Sequence, residues 1–206
     1  MGKSDSKSVF LTQMAMLAVI EIIFCFTPLG AIPIVPGAIV ATTAHLPALV
    51  AALFLGRRAA LFMGGVMAVC SVIWWSTAGA ALPTAFCFIP WAPDGRGNLF
   101  SLIIAIVPRV VFPYITVVVF ENLMKVLKDK RKISGAIAGF VGTISHSIMV
   151  LGLIFLVFYD TPEVGNKLLA FIIVWGGLNA ICEVVFGTIV GALAVSKIGI
   201  RKKLKS

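Results

Sequence analysis

Five ionisable side chains, Glu21, His45, Arg109, His146 and Glu183, fall inside otherwise apolar stretches of a 206-residue chain. Each has chemistry to offer. The planar guanidinium of Arg109 matches a carboxylate in a two-pronged contact. An imidazole and the amide of Asn179 both donate and accept hydrogen bonds. The tandem Trp74 and Trp75 supply apolar wall. Two histidines and a glutamate are also the residue types of a zinc site, which gives an intramembrane acid–base or metal enzyme as an alternative. However, there is no H-E-x-x-H or similarly spaced ligand pair, so binding of a small carboxylated molecule is the leading reading of these residues.

Plainer roles exist for each. Arg109 pairs with Glu21 as a structural ion pair, His45 starts a helix, and His146 bonds a neighbouring helix. Trp74 and Trp75 anchor at a membrane interface. Glu183, counted as deeper toward the cytoplasm, reads as structural. What favours a site is depth. At ~1.5 Å per helical residue, Arg109 lies ~15 Å below the outer end of its segment and His45 ~8 Å below its own. Glu21 and His146 lie ~20 Å above their inner ends. Intramembrane charge costs roughly 2.5–3.5 kcal/mol per residue on insertion scales. Four such groups at one outer-half depth therefore suggest a pocket that opens outward.

The elements that must position these groups are legible in the hydropathy. The chain is 60% hydrophobic and 12% charged, with mean hydropathy +1.09. A soluble domain carries roughly twice that charged fraction. The apolar residues come in blocks near the ~20 residues that a spanning helix needs. Spans are expected near Val9–Leu29, Val40–Leu55, Ala59–Gly79, Leu99–Leu127, Ile133–Tyr159 and Lys167–Ser196. The fold class is thus all-α, one polytopic six-helix membrane domain over residues 1–206. Short alternating strands of a membrane barrel are not visible. The first block is too long for a signal-peptide core and shows no cleavage pattern, so it reads as a retained span. Pro28, Gly30, Pro33, Pro36 and Gly37 mark the first loop, and Pro83, Pro90, Pro93, Gly95 and Gly97 a longer one.

Charge sets the orientation. Lys3, Lys7, Arg57, Arg58, five residues between 125 and 132 and five between 197 and 205 make fourteen of the 17 Lys and Arg. All fall on one side if both termini are cytoplasmic. Arg96 and Lys167 are left outside. This is a strong positive-inside bias. It also explains the net charge of +9 without nucleic acid. Cys25, Cys70, Cys87 and Cys182 have no CxxC spacing and read as small apolar filler, with no metal or cofactor implied. No P-loop and no internal repeat is present, so an ATPase, if one drives this chain, is a separate subunit. Small residues recur every fourth position at Ala60, Gly64 and Ala68, at Gly135 and Gly139, and at Gly187 and Gly191, as helix-packing faces do.

Three stretches, TTAHLPALVAALFLGRRAALFMG (42–64), SLIIAIVPRVVFPYI (101–115) and GTISHSIMVLGLIF (142–155), resemble the substrate-binding S components of energy-coupling-factor (ECF) vitamin transporters, most closely the pantothenate type. The similarity runs from the first helix to about Val195. It implies a multi-pass subunit of a bacterial-type cell membrane with an outward-facing vitamin site and no catalytic residues. A membrane coupling subunit and two cytoplasmic ATPases are its implied partners. Arg109 would take the vitamin carboxylate, His146 and Asn179 its polar backbone, and Trp75 its apolar part, with His45 and Glu21 beside them. Folate or another carboxylated vitamin is the runner-up within the same class. Family members usually carry Asn where this chain has His146. They often have an A-x-x-x-A face on helix one for the coupling subunit, for which Ala15 and Ala18 are the counterparts here.

Overall fold

The computed structural model describes residues 3–35, 39–77, 99–128, 130–158 and 178–196. Six α-helices run in the order α1 (Lys3–Phe26), α2 (Leu46–Leu55), α3 (Arg57–Thr77), α4 (Leu99–Val126), α5 (Arg131–Phe158) and α6 (Leu178–Ser196). Five of them, all but α2, are long and apolar enough to cross a membrane. The fold is all-helical as expected, and the expected bounds of α4 and α5 lie within two residues of those observed.

The second span is the exception. Val40 does not begin a helix. Ala31–Val35 (β1) and Ile39–Thr42 (β2) form an antiparallel pair, with Ala31 opposite Thr42 and an irregularity between Pro33 and Val35. The reason is local. Ile39, Val40, Thr42 and Thr43 include a run of β-branched residues that suits a strand. Pro33 has no N–H for the ladder and sits where the pairing shifts. Helix formation waits until His45, with Pro47 in the first turn where its missing N–H costs nothing. The hairpin is tied back to the end of α1. Thr43 Oγ1 donates to the Leu29 carbonyl, and Thr43 N–H donates to Gly30 O at 3.0 Å. Gly30 is fixed by contact, because a Cβ there would run into the Phe24 carbonyl.

At ten residues α2 is ~15 Å long, too short for a hydrocarbon core of ~30 Å. It is instead the hub of the bundle. Pro47, Ala48, Leu49, Ala51, Ala52 and Leu53 are all buried, and α2 touches each of the other five helices. A helix apolar on all sides belongs inside. Gly56, at φ +86°, is the single residue between α2 and α3, a left-handed backbone that glycine adopts without penalty.

The long helices pack through small residues. A Cβ on Gly139 would meet the Gly187 carbonyl, one on Gly191 the Gly135 carbonyl, and one on Gly142 the Thr116 hydroxyl. The Gly135/Gly139 and Gly187/Gly191 faces are therefore the α5–α6 seam, with backbones in near contact. The outward faces carry Leu11, Val19, Phe62, Ile148 and Leu193, as lipid contact requires.

The seam makes a prediction. Gly139→Leu forces a side chain into backbone and should destabilise the detergent-solubilised protein by about 1–3 kcal/mol or more. Gly152→Ala is the control, since a Cβ there has nothing within 4 Å. Thermal unfolding followed by fluorescence should separate the two, and equal melting temperatures would refute the seam.

Candidate functional site

Two prolines prepare helix α4 for Arg109. Pro108 and Pro113 both lie inside the helix, and each removes the N–H that would bond the carbonyl four residues back. Pro108 leaves the Ile104 carbonyl without its helical donor, and Pro113 does the same to Arg109's own carbonyl. The guanidinium answers the first deficit. Its Nη1 donates to Ile104 O at 3.3 Å and to Ala105 O at 2.8 Å. The second deficit faces α3: an ideal Cβ on Gly64 would stand 2.6 Å from Arg109 O and 2.8 Å from the Val110 Cα. Glycine thus lets α3 close over the freed carbonyl, where a weak Cα–H···O contact is the available donor.

Arg109 is 8% exposed, and its Nε is buried without a hydrogen-bond partner. Among the described residues the ion pair present is elsewhere: Arg57 Nη2 meets Glu121 Oε2 at 2.6 Å, where α3 begins beside α4. Glu21 and Glu183 lie within electrostatic range of Arg109, but neither carboxylate is in ion-pair contact with it. The structural Arg109–Glu21 pair is therefore not what holds the guanidinium.

One turn along α4, Phe112 shares the Arg109 face and is fully buried. Its ring meets His146 of α5 edge-on at 5.0 Å and His45 edge-on at 6.1 Å. The two imidazoles stack on each other, with centroids 6.1 Å apart and planes 16° from parallel. His45 occupies the N-cap position of α2 but makes no side-chain cap bond. Both ring nitrogens of His146 are buried without a partner, whereas the His45 ring has the Thr42 backbone beside it. A buried polar atom without a partner costs about 1–3 kcal/mol, so the His146 ring has hydrogen-bonding capacity to offer.

Glu21 is fully buried on α1. Cys25 Sγ donates to its Oε1 at 3.7 Å, and its Oε2 has no partner. Asn179 is half-buried in the first turn of α6. The side chain of Trp75 lies outside the described residues. Trp74 points outward, 38% exposed, with its ring edge against Phe26 at 6.0 Å. On α1, Ala15 is exposed, whereas Ala18 packs against the core with Phe10, Met14 and Leu17.

Glu183 requires a correction. Its place is not apart from the cluster toward the cytoplasm. Ser147, next to His146, donates to Glu183 Oε2 at 3.2 Å, and the side chain of Thr42, at the end of β2, hydrogen-bonds the same carboxyl. Counting residues along one helix gives height along that helix alone. It cannot register that the hairpin comes down onto α6. Phe112 was also missed. Its signal was available, three residues after Arg109 on the same helical face.

Arg109, Phe112, His45, His146, Glu21 and Glu183 thus come from five helices to one largely buried region. The arrangement combines a permanent positive charge, two imidazoles and two carboxyl groups among apolar helices, chemistry that suits a small polar molecule. Among the described residues no three His, Cys, Asp or Glu side chains gather as a metal-holding group.

Comparison with known proteins agrees with this picture. A family model described as "ECF transporter, substrate-specific component" matches residues 9–195. The pantothenic acid transporter PanT of Lactococcus lactis subsp. cremoris (strain MG1363) is 27% identical over 194 residues, covering 91% of this chain and 90% of the relative. The match takes in every helix that contributes to the buried cluster, and the chain accordingly belongs to the substrate-specific components of ECF transporters, multi-pass membrane proteins that bind a transported substrate and are not enzymes.

Proposed function

We propose that this chain binds pantothenate from outside the cell and delivers it through an ECF complex. The observation that carries the reading is Arg109: a permanent charge buried at 8% exposure, with Nε unpartnered and no ion-pair contact. An anion completes it. Its carboxylate receptor role is joined by His146, whose unpartnered ring nitrogens suit the amide of pantothenate, and by His45 stacked on it, with Asn179 nearby on α6. Glu21 holds the α1 side of the site, and Trp75 is assigned to the apolar part of the vitamin. The 27% identity to a pantothenic acid transporter supports this choice. Folate and other carboxylated vitamins would share the Arg109 contact but differ in what they present to the imidazoles.

The partners are a membrane coupling subunit and two cytoplasmic ATPases, since the sequence holds no P-loop of its own. Docking is assigned to α1, on the exposed face that carries Ala15 with Leu11, Val19 and Ile22. Ala18 borders that face from the packed side. Both termini are placed in the cytoplasm by the Lys and Arg distribution.

Three outcomes are expected. A buried charge-assisted hydrogen bond contributes roughly 1.5–3 kcal/mol, so Arg109→Ala should weaken pantothenate binding by about tenfold or more. Arg109→Lys should restore it incompletely, because the fork is lost. Calorimetry with pantothenate and with its neutral carboxamide reads this out. The carboxamide should bind the wild type poorly and be little affected by Arg109→Ala. A folded Arg109→Ala protein with undiminished pantothenate affinity would overturn the assignment.

The purified chain should bind pantothenate without ATP yet accumulate none in liposomes until the coupling subunit and ATPases are added. Concentrative uptake by the chain alone would contradict the proposal. Single cysteines introduced at Gly95 and Glu163 in a cysteine-free background should react with an impermeant reagent from outside intact cells, and one at Asp129 should not. The reverse pattern would invert the topology.

A further inference from the structure

Glu183 has no assigned task in the carboxylate-binding scheme, and its surroundings give it one. It stands on α6 only partly buried, unlike Glu21, which is fully enclosed. Its contacts are neutral: the Ser147 hydroxyl at 3.2 Å and the Thr42 side chain. A carboxylate offers about four lone-pair positions, so two hydroxyl donors leave it unsaturated. Among the described residues no cation is in ion-pair contact with it. A carboxyl group inside a bundle of membrane-spanning helices is costly unless donors complete it. Two donors leave lone-pair positions open, and the region beside it is the buried cluster, since Thr42 reaches both this carboxyl and His45 and Arg109 is within electrostatic range.

The cluster is therefore two-ended. Arg109 is a donor pole made for a carboxylate. Glu183, with Ser147 and Thr42 supporting it, is an acceptor pole made for hydrogen-bond donors. The stacked imidazoles, able to donate and accept, belong to the same cluster.

We infer that Glu183 is the second recognition group of the site, receiving the hydroxyl groups at the end of the ligand remote from its carboxylate. This rests on the proposed function and deepens it. The substrate class becomes a hydroxylated carboxylic acid, with hydroxyls at one end and the carboxylate at the other. A plain aliphatic acid of the same length would satisfy Arg109 and leave Glu183 short of donors. The inference also gives the hairpin a role. Thr42 ties β2 to the acceptor pole, and β2 lies against α6, so the hairpin helps to set the position of the carboxylate that reads the hydroxyls.

The test compares pantothenate with its analogue lacking both hydroxyls, by calorimetry on the full-length protein in detergent. Wild type should prefer pantothenate by about tenfold or more, the range for hydrogen bonds to a charged acceptor. Glu183→Gln should lose most of that preference, weakening pantothenate binding while changing affinity for the deoxy analogue less than about threefold. Glu183→Asp, which keeps the charge but withdraws it by one methylene, should fall between. A purely structural Glu183 would lower both affinities together, or neither, and either result overturns the inference. Should neither variant give a folded protein by its melting transition, the wild type still decides. Pantothenate binding with no preference over the deoxy analogue rejects the inference and leaves the proposed function standing. No pantothenate binding at all rejects both.

Discussion

An arginine cannot shed its charge inside a protein, and a spanning helix cannot leave its carbonyls bare. In α4 these two constraints answer each other. Pro108 strips a donor from the Ile104 carbonyl, and the Arg109 guanidinium supplies one from the same helix. That internal bond uses Nη1 and leaves Nε buried without a partner. The rest of the structure is arranged around this half-satisfied cation. Gly64 brings α3 against the carbonyl that Pro113 has freed, and Phe112 stands between the guanidinium's helix and the two imidazoles.

Rigidity at the seam and readiness at the site are separate. Gly135 and Gly139, before His146 on α5, meet Gly187 and Gly191, after Glu183 on α6, and bring the two backbones together. Thr143, one turn before Ser147, packs its hydroxyl toward Gly187. Dispersion between close backbones holds such a seam without any polar group. The polar groups of the proposed site lie outside that glycine seam. His146 is the group of interest beside this seam. An imidazole donates and accepts hydrogen bonds and also has a flat face, and here that face stacks on His45, 101 positions away in the chain.

The short central α2 joins these parts. It touches every other helix, and its first turn begins at His45. α1 packs against α2 as well, with Glu21 of α1 fully buried in the bundle, so the helix proposed for docking and the N-cap histidine of α2 belong to neighbouring elements.

Much of this was legible in the chain. Apolar block lengths specified helices α3, α4 and α5 nearly to the residue, because a bilayer demands a certain run of apolar residues whatever the tertiary fold. Arg109 declared itself as a permanent charge in an apolar run, and the four-residue spacing of glycines declared the seam. What sequence could not decide was which segments meet. Val40 looked like the start of a span because hydropathy does not distinguish an apolar strand from an apolar helix segment. The hairpin exists because β-branched residues and Pro33 favour it beside the end of α1. Glu183 looked remote because height along a helix says nothing of what approaches from the side, and Thr42 and Ser147 approach it. The stacking of His45 on His146 was likewise out of reach. Depth placed both in one layer, and only the packing of α2 among five other helices turned that layer into contact.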